Sequence, residues 1–229
     1  MSPFAIRIIP MIHNLRAIVL WTRRSREADK VVGIFTRELG RLTVRATSAA
    51  RATAKFAALT EPFVESDVAV YLTPGQGWGK LVGGRMVRSF PSLRLQMDRS
   101  TAASWVCEVV HRLTAEEQSS PEKFDLLQET LQAIETATQF GVLRLAFAVR
   151  FLTFAGLGME NRQAWQDLRG EFPERAADLM AAPLQELGGS SWPDPSVRAL
   201  EQLAGGIVSD HLNRPLHVNR FRQMTGIEI

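Results

Sequence analysis

Cysteine is nearly absent from this chain: Cys107 is the only one in 229 residues. That excludes an intramolecular disulfide and a cysteine-rich zinc site, and it makes a reducing cytosol the simpler home. Histidine is scarce too. His13, His111, His211 and His217 are scattered, with no H-E-x-x-H and no paired spacing, so no metal-ligand set can be assembled from sequence. No apolar run reaches the roughly 20 residues of a membrane span. The apolar opening, PFAIRIIPMI, is short, contains Pro10 and lacks a small-residue cleavage pattern. It reads as an extra strand or a disordered lead and not as a signal peptide, with Met11 a second candidate start.

Catalytic signatures are missing as well. TPGQGWGKL contains Gly79-Lys80, but Pro74 stands where a phosphate-binding loop needs glycine, and Leu81 replaces the magnesium-binding hydroxyl. A hairpin turn is the reading that remains. Nothing pairs Asp29, Glu38, Glu61, Glu65 or Asp67 for acid–base work. Cys107 sits on an apolar helical stripe and reads as core; His111 and His211 read as helix-surface or core groups. No catalytic residue, metal or cofactor is expected, and the chain reads as a protein without enzyme activity.

What is present is a globular composition, 45% hydrophobic, with charge distributed unevenly. Residues 1–90 carry 14 Lys/Arg against 6 Asp/Glu, a net of +8, while residues 91–229 carry 13 against 18, a net of −5. A basic first part suits a polyanion, because cation–phosphate contacts release counterions.

The hydrophobic period changes near Phe90-Pro91. Before it, strands are expected over Ala17–Arg23, Asp29–Thr36, Arg41–Ala46, Phe63–Leu72 and Lys80–Val87. Gly33 inside the second marks a sharp bend or a close backbone approach. In the third, Leu42, Val44 and Ala46 face one way, and Arg41, Thr43 and Arg45 the other. Residues 47–60 form either a short helix or a loop. Five strands with such a connection after the third is the oligonucleotide-binding barrel arrangement. Beyond the junction, Arg99–Leu113 shows a helical stripe, and Ser120-Pro121-Glu122 starts a helix that carries Phe124, Leu127, Leu131 and Ile134. Gly141–Gly156 is apolar nearly all round, as in the centre of a bundle. Pro173–Leu187 is a helix broken or kinked at Pro183. A last helix from about Ser196 to His211 and a basic tail close the chain. The expected fold is thus α+β in two domains: a five-stranded barrel over residues 1–89 and an all-α domain over 90–229.

One constellation rises above background: Arg23, Arg24, Arg26, Lys30, Arg37, Arg41, Arg45, Arg51 and Lys55. Cations that track a backbone beside aromatics that stack bases are what single-strand binding requires. Trp21 shares a strand face with Val19 and Arg23 and is either a stacking platform or core.

Together these residues resemble the bacterial recombination mediator family RecO. The resemblance runs through Ala17-Ile18-Val19-Leu20 to Gly33-Ile34-Phe35-Thr36-Arg37-Glu38-Leu39-Gly40-Arg41, where the family has F-T-x-x-x-G-[KR]. It continues at Pro62-Phe63, Ser89-Phe90-Pro91, Phe154-Ala155-Gly156-Leu157-Gly158 and Arg214-Pro215-Leu216-His217-Val218-Asn219-Arg220, covering most of residues 17–222. It implies a non-catalytic role in the cytoplasm at the nucleoid. The protein would bind single- and double-stranded DNA, anneal strands, and act with RecR to load RecA onto DNA coated by single-stranded-DNA-binding protein. It also implies that the helical domain holds that protein's acidic C-terminal tail, for which Arg144, Arg150, Arg214, Arg220 and Arg222 are candidates. Two departures stand out. Many members carry a four-cysteine zinc module, whereas Met159–Trp192 has no cysteine; many carry Lys-Gly-Ala-Arg after the third strand, where this chain has Thr47-Ser48-Ala49-Ala50. A protein working only through its helical body, or an RNA-binding barrel, fits the composition as well.

Overall fold

The computed structural model describes residues 11–25, 28–47, 49, 56–157, 165–166, 169–170 and 173–189. Five strands come first: β1 (Met11–Ser25), β2 (Asp29–Thr36), β3 (Gly40–Ala46), β4 (Glu65–Leu72) and β5 (Gly79–Arg88). They close into a barrel in the order β1-β2-β3-β5-β4. Every neighbouring pair is antiparallel except β3 and β5, which run parallel and meet at Val44–Gly79 and Arg45–Lys80.

The period-2 pattern explains the core. Leu42, Val44 and Ala46 point inward with Leu15, Ala17, Val19, Val32, Ile34, Val68, Val70, Leu72 and Leu81. Arg41, Thr43 and Arg45 take the outer side of β3, as the alternation requires. The first strand is longer than its apolar stretch suggests. Met11–Ile18 pairs with β4, and from Ala17 onward the strand pairs with β2. His13, Asn14 and Arg16 dilute the hydrophobic signal there, because this half of the strand shows one side to solvent.

Such a strand must bend to serve two neighbours. The bend falls at Leu20, an extra residue between the Val19–Ile34 and Trp21–Gly33 pairs. Across from it, a Cβ on Gly33 would lie 2.1 Å from Trp21 Nε1, so only glycine lets the indole cross β2. Trp21 is held there by donating Nε1–H to His111 Nδ1 at 3.2 Å. The indole therefore packs on the barrel wall with its polar edge satisfied and is not an open platform.

Two compact units emerge, and they do not divide at one point in the chain. The barrel unit takes residues 1–91 together with 110–124; the helical unit takes 92–109 and 125 onward. The boundaries cut α2 (Met97–Leu113) and α3 (Pro121–Thr136), after the short α1 (Ser92–Leu95). In the barrel unit, residues 110–124 lie over the outer side of β2 and β3. Phe35 is fully buried with its ring 6.2 Å from Phe124. Glu117 N–H donates to Arg41 O at 3.1 Å, and Ser119 Oγ donates to Arg37 O at 3.0 Å. Gly40, with φ of +73°, ends the β2–β3 turn in the left-handed region. A Cβ there would meet Gln118 O at 1.9 Å, so the same glycine admits this strap.

In the helical unit, α4 (Phe140–Phe154) is the core: Val142 through Val149, Phe151 and Leu152 are all buried. Phe147 stacks on Phe151 at 5.3 Å and meets Trp105 edge-on at 6.3 Å. Leu127, Leu131 and Ile134 of α3 are fully buried, and so is Cys107 of α2, whose thiol pKa burial raises. Pro183 separates α5 (Pro173–Ala181) from α6 (Leu184–Leu187), which is a full break, not a kink. The N-terminal ten residues, the helix expected from about Ser196 to His211 and the basic tail lie outside the described residues.

Gly33→Ala is expected to destabilise the barrel by about 1–3 kcal/mol through overpacking, seen as a lower urea midpoint. Trp21→Leu removes the obstacle, so the double variant should lose less than the sum of the two single losses.

Candidate nucleic-acid interface

The basic residues of the barrel fall into two groups once their partners are known. Several are compensated internally. Arg16 hydrogen-bonds buried Glu65 at 2.9 Å and pairs with Asp67 at 2.8 Å; the Glu65 hydrogen bond is the main cause of its raised pKa. Arg85 shares Asp67 at 3.0 Å. Lys30 reaches Glu61 at 2.8 Å and Thr60 Oγ1 at 3.2 Å, beside the short helical turn Ala58–Thr60. Arg41 donates Nε–H to Thr114 O at 3.0 Å and pairs with Glu116 at 3.1 Å. Its side chain is only 19% exposed, so it works chiefly as the anchor of the strap.

Arg45 is different. Its guanidinium lies 4.3 Å from the centroid of the Trp78 ring, and its Nε is buried without a hydrogen-bond partner. A cation over an indole face is favourable by about 0.5–2 kcal/mol. The register extends the site sideways. Lys80 of β5 pairs with Arg45 on one side and with Tyr71 of β4 on the other, so the three share the outer face in one row. Lys80 is exposed, Tyr71 is 41% exposed and Trp78 is 45% exposed. Thr43, Thr73, Trp78, Arg41, Glu116 and Glu117 line a shallow pocket beside this row.

Arg23 and Arg24 are exposed at the β1–β2 hairpin end, and Arg37 is exposed in the β2–β3 turn. Arg26, Arg51 and Lys55 lie outside the described residues, as do Arg214, Arg220 and Arg222. In the helical unit, Arg144 is 5% exposed within the buried run of α4. Arg150 donates to Leu179 O at 2.8 Å, to Asp178 O at 3.3 Å and to Ala182 O, satisfying the C-terminal carbonyls of α5. Burial lowers its pKa, and Glu129 opposes that shift.

Sequence reasoning missed Trp78, Lys80 and Tyr71. One signal was available: an indole set between glycines in a β-hairpin turn has little chance of being covered, whereas Trp21 in a strand interior has every chance. The described residues hold no cluster of three or more His, Cys, Asp or Glu able to bind a metal, and no helix among them is long and apolar enough to cross a membrane.

Barrel and helices together define a two-unit α+β protein whose barrel carries a cationic and aromatic outer row. Family models give that class a name: the recombination protein O N-terminal model matches residues 11–90, and the recombination protein O C-terminal model matches residues 94–163. The chain belongs to the recombination protein O, or RecO, family. It is 30% identical over 153 residues to a DNA repair protein RecO of Halalkalibacterium halodurans, covering 67% of this chain and 59% of that protein. For the RecO of Shouchella clausii the identity is 32% over 146 residues, covering 64% and 56%; for that of Dehalococcoides mccartyi it is 28% over 154 residues, covering 67% and 60%. The chain spans somewhat under two thirds of the length of these curated relatives.

Arg150→Met leaves the carbonyls of Leu179, Asp178 and Ala182 without their charged donor. A loss of about 1–3 kcal/mol is expected, measured as a lowered denaturation midpoint of the helical unit. An unchanged midpoint would show that α5 holds its place without this guanidinium.

Proposed function

We propose that this protein is a DNA-binding recombination mediator in DNA repair, with an oligonucleotide-binding barrel as its DNA-contacting part. Membership of the RecO family supports the role. The strand order 1-2-3-5-4 with its parallel closing pair supports the barrel assignment. The observation that carries the reading is Arg45, a cation on the outer barrel wall that lies over the Trp78 ring and is in register with exposed Lys80.

Barrels of this kind take strands across the β2–β3 face and the β1–β2 and β4–β5 loops. Here the strap occupies part of that face, and Arg41 and Lys30 are already paired. The strand path we infer therefore runs from Arg23 and Arg24 at the β1–β2 end to Arg45, Lys80 and the β4–β5 turn. Binding is by phosphate neutralisation, and annealing follows because cations on one small body let two like-charged strands approach. The mediator needs no catalytic residue and no cofactor. It would act in the cytoplasm at the nucleoid, with RecR, to load RecA onto DNA coated by single-stranded-DNA-binding protein. Arg144 and Arg150 are committed inside the helical unit, so a tail pocket there would draw on Arg214, Arg220 and Arg222.

Single-strand affinity should fall with salt by about 0.7 log units per log unit for each phosphate neutralised. Arg45→Glu and Arg24→Glu should each weaken binding and flatten that slope, independently of base sequence. Arg144→Gln should leave the slope unchanged. Absence of binding by the wild-type chain at low salt would instead favour a protein that works only through its helical body.

A further inference from the structure

We propose that Trp78 is a stacking platform for a base of single-stranded DNA, with Arg45 and Lys80 holding the phosphate next to it. This rests on the DNA-binding reading above and adds what that reading leaves open, namely how the barrel tells a single strand from a duplex.

Three features of the site converge. First, Trp78 stands in the β4–β5 turn with 45% of its surface in solvent, so part of the indole is within reach of a base. Second, Arg45 lies over the ring with its guanidinium carbon 4.3 Å from the centroid, so a cation stands directly beside the indole. A guanidinium fork is well suited to phosphate oxygens. Third, the cations sit together: Lys80 flanks Arg45 on the β5 side, while Glu116, which lines the pocket with Trp78, is already paired with Arg41. The sugar-phosphate goes toward Arg45 and Lys80, and the base turns toward Trp78, Thr43 and Thr73. Tyr71, the chain's one tyrosine, lies two strands from Arg45, about 10 Å away, and offers a second ring along the same row.

A duplex cannot use this site, because its bases are already stacked on one another. The discrimination is thus a property of the indole, while the salt dependence is a property of the cations. The two are separable.

The test is equilibrium binding of a labelled oligo-dT strand, an abasic strand of the same length and a duplex by the full chain. Trp78→Ala should weaken oligo-dT binding roughly 10-fold or more, with the salt slope unchanged. The same variant should bind the abasic strand and the duplex as the wild type does, and Trp78→Phe should keep most of the oligo-dT affinity. Trp78→Ala gives up the Arg45 contact and should melt slightly lower than the wild type, whereas Trp78→Phe should melt close to it; both should keep the wild-type circular dichroism spectrum. If wild-type protein binds DNA but Trp78→Ala binds oligo-dT equally well, the stacking proposal is wrong and the mediator reading stands. Stacking is ruled out in the same way if wild-type protein does not distinguish oligo-dT from the abasic strand. If wild-type protein binds no strand at low salt, both fall together. Tighter binding of a matched RNA strand than of DNA would overturn the assignment of the platform to DNA.

Discussion

Closure of the barrel depends on the place where β1 changes partners. One strand has to pair with β4 through its first half and with β2 through its second, which a straight, evenly twisted ribbon cannot do. An extra residue at Leu20 supplies the bend, and Trp21 swings across β2 at the one position where no Cβ stands in its way. Because the indole N–H then finds His111, the bend is tied to the C-terminal turn of α2. Inward packing of Leu15, Ala17, Val19 and their partners follows from the alternation that the bend preserves.

The same arrangement decides which cations remain open. The strap at residues 114–119 adds backbone hydrogen bonds at the Gly40–Arg41 end of β3, and Arg41 is used to hold it. Across the barrel, Asp67 gathers Arg16 and Arg85. The fourteen Lys/Arg of the first ninety residues therefore overstate the number of cations available to a polyanion. What remains is concentrated at the end of the barrel where β3 and β5 meet. There Arg45 and Lys80 are register neighbours because two strands run parallel.

The helical unit shows a parallel economy of charge. Its central helix is apolar enough to be buried all round, so an arginine within it must be enclosed or put to structural use. Arg150 does the latter, closing the end of α5. The proline at 183 is what makes that end necessary, since α5 cannot run on into α6. Exposure of a guanidinium is a property of its neighbours and not of its helix alone.

Much of this was legible before any coordinates. Strict alternation in Gly40–Ala46 placed three side chains inward and three outward, because a strand has a period of two and only one side can be dry. Gly33 announced a close approach, and Ser120-Pro121-Glu122 and Pro183 marked where α3 starts and where α5 gives way to α6, because those residues act through local backbone geometry. Three things lay beyond it. The first half of β1 has no apolar pattern of its own and became a strand only through pairing with β4. The pairing of Arg41 with Glu116 joins residues far apart in sequence, as does that of Lys30 with Glu61, and no local rule links them. The row of Tyr71, Lys80, Arg45 and Trp78 exists only where barrel closure brings three strands side by side. Local backbone chemistry was the sequence's to determine; which charges and rings meet was decided by tertiary structure, since distance through space depends on register and closure, neither of which is local.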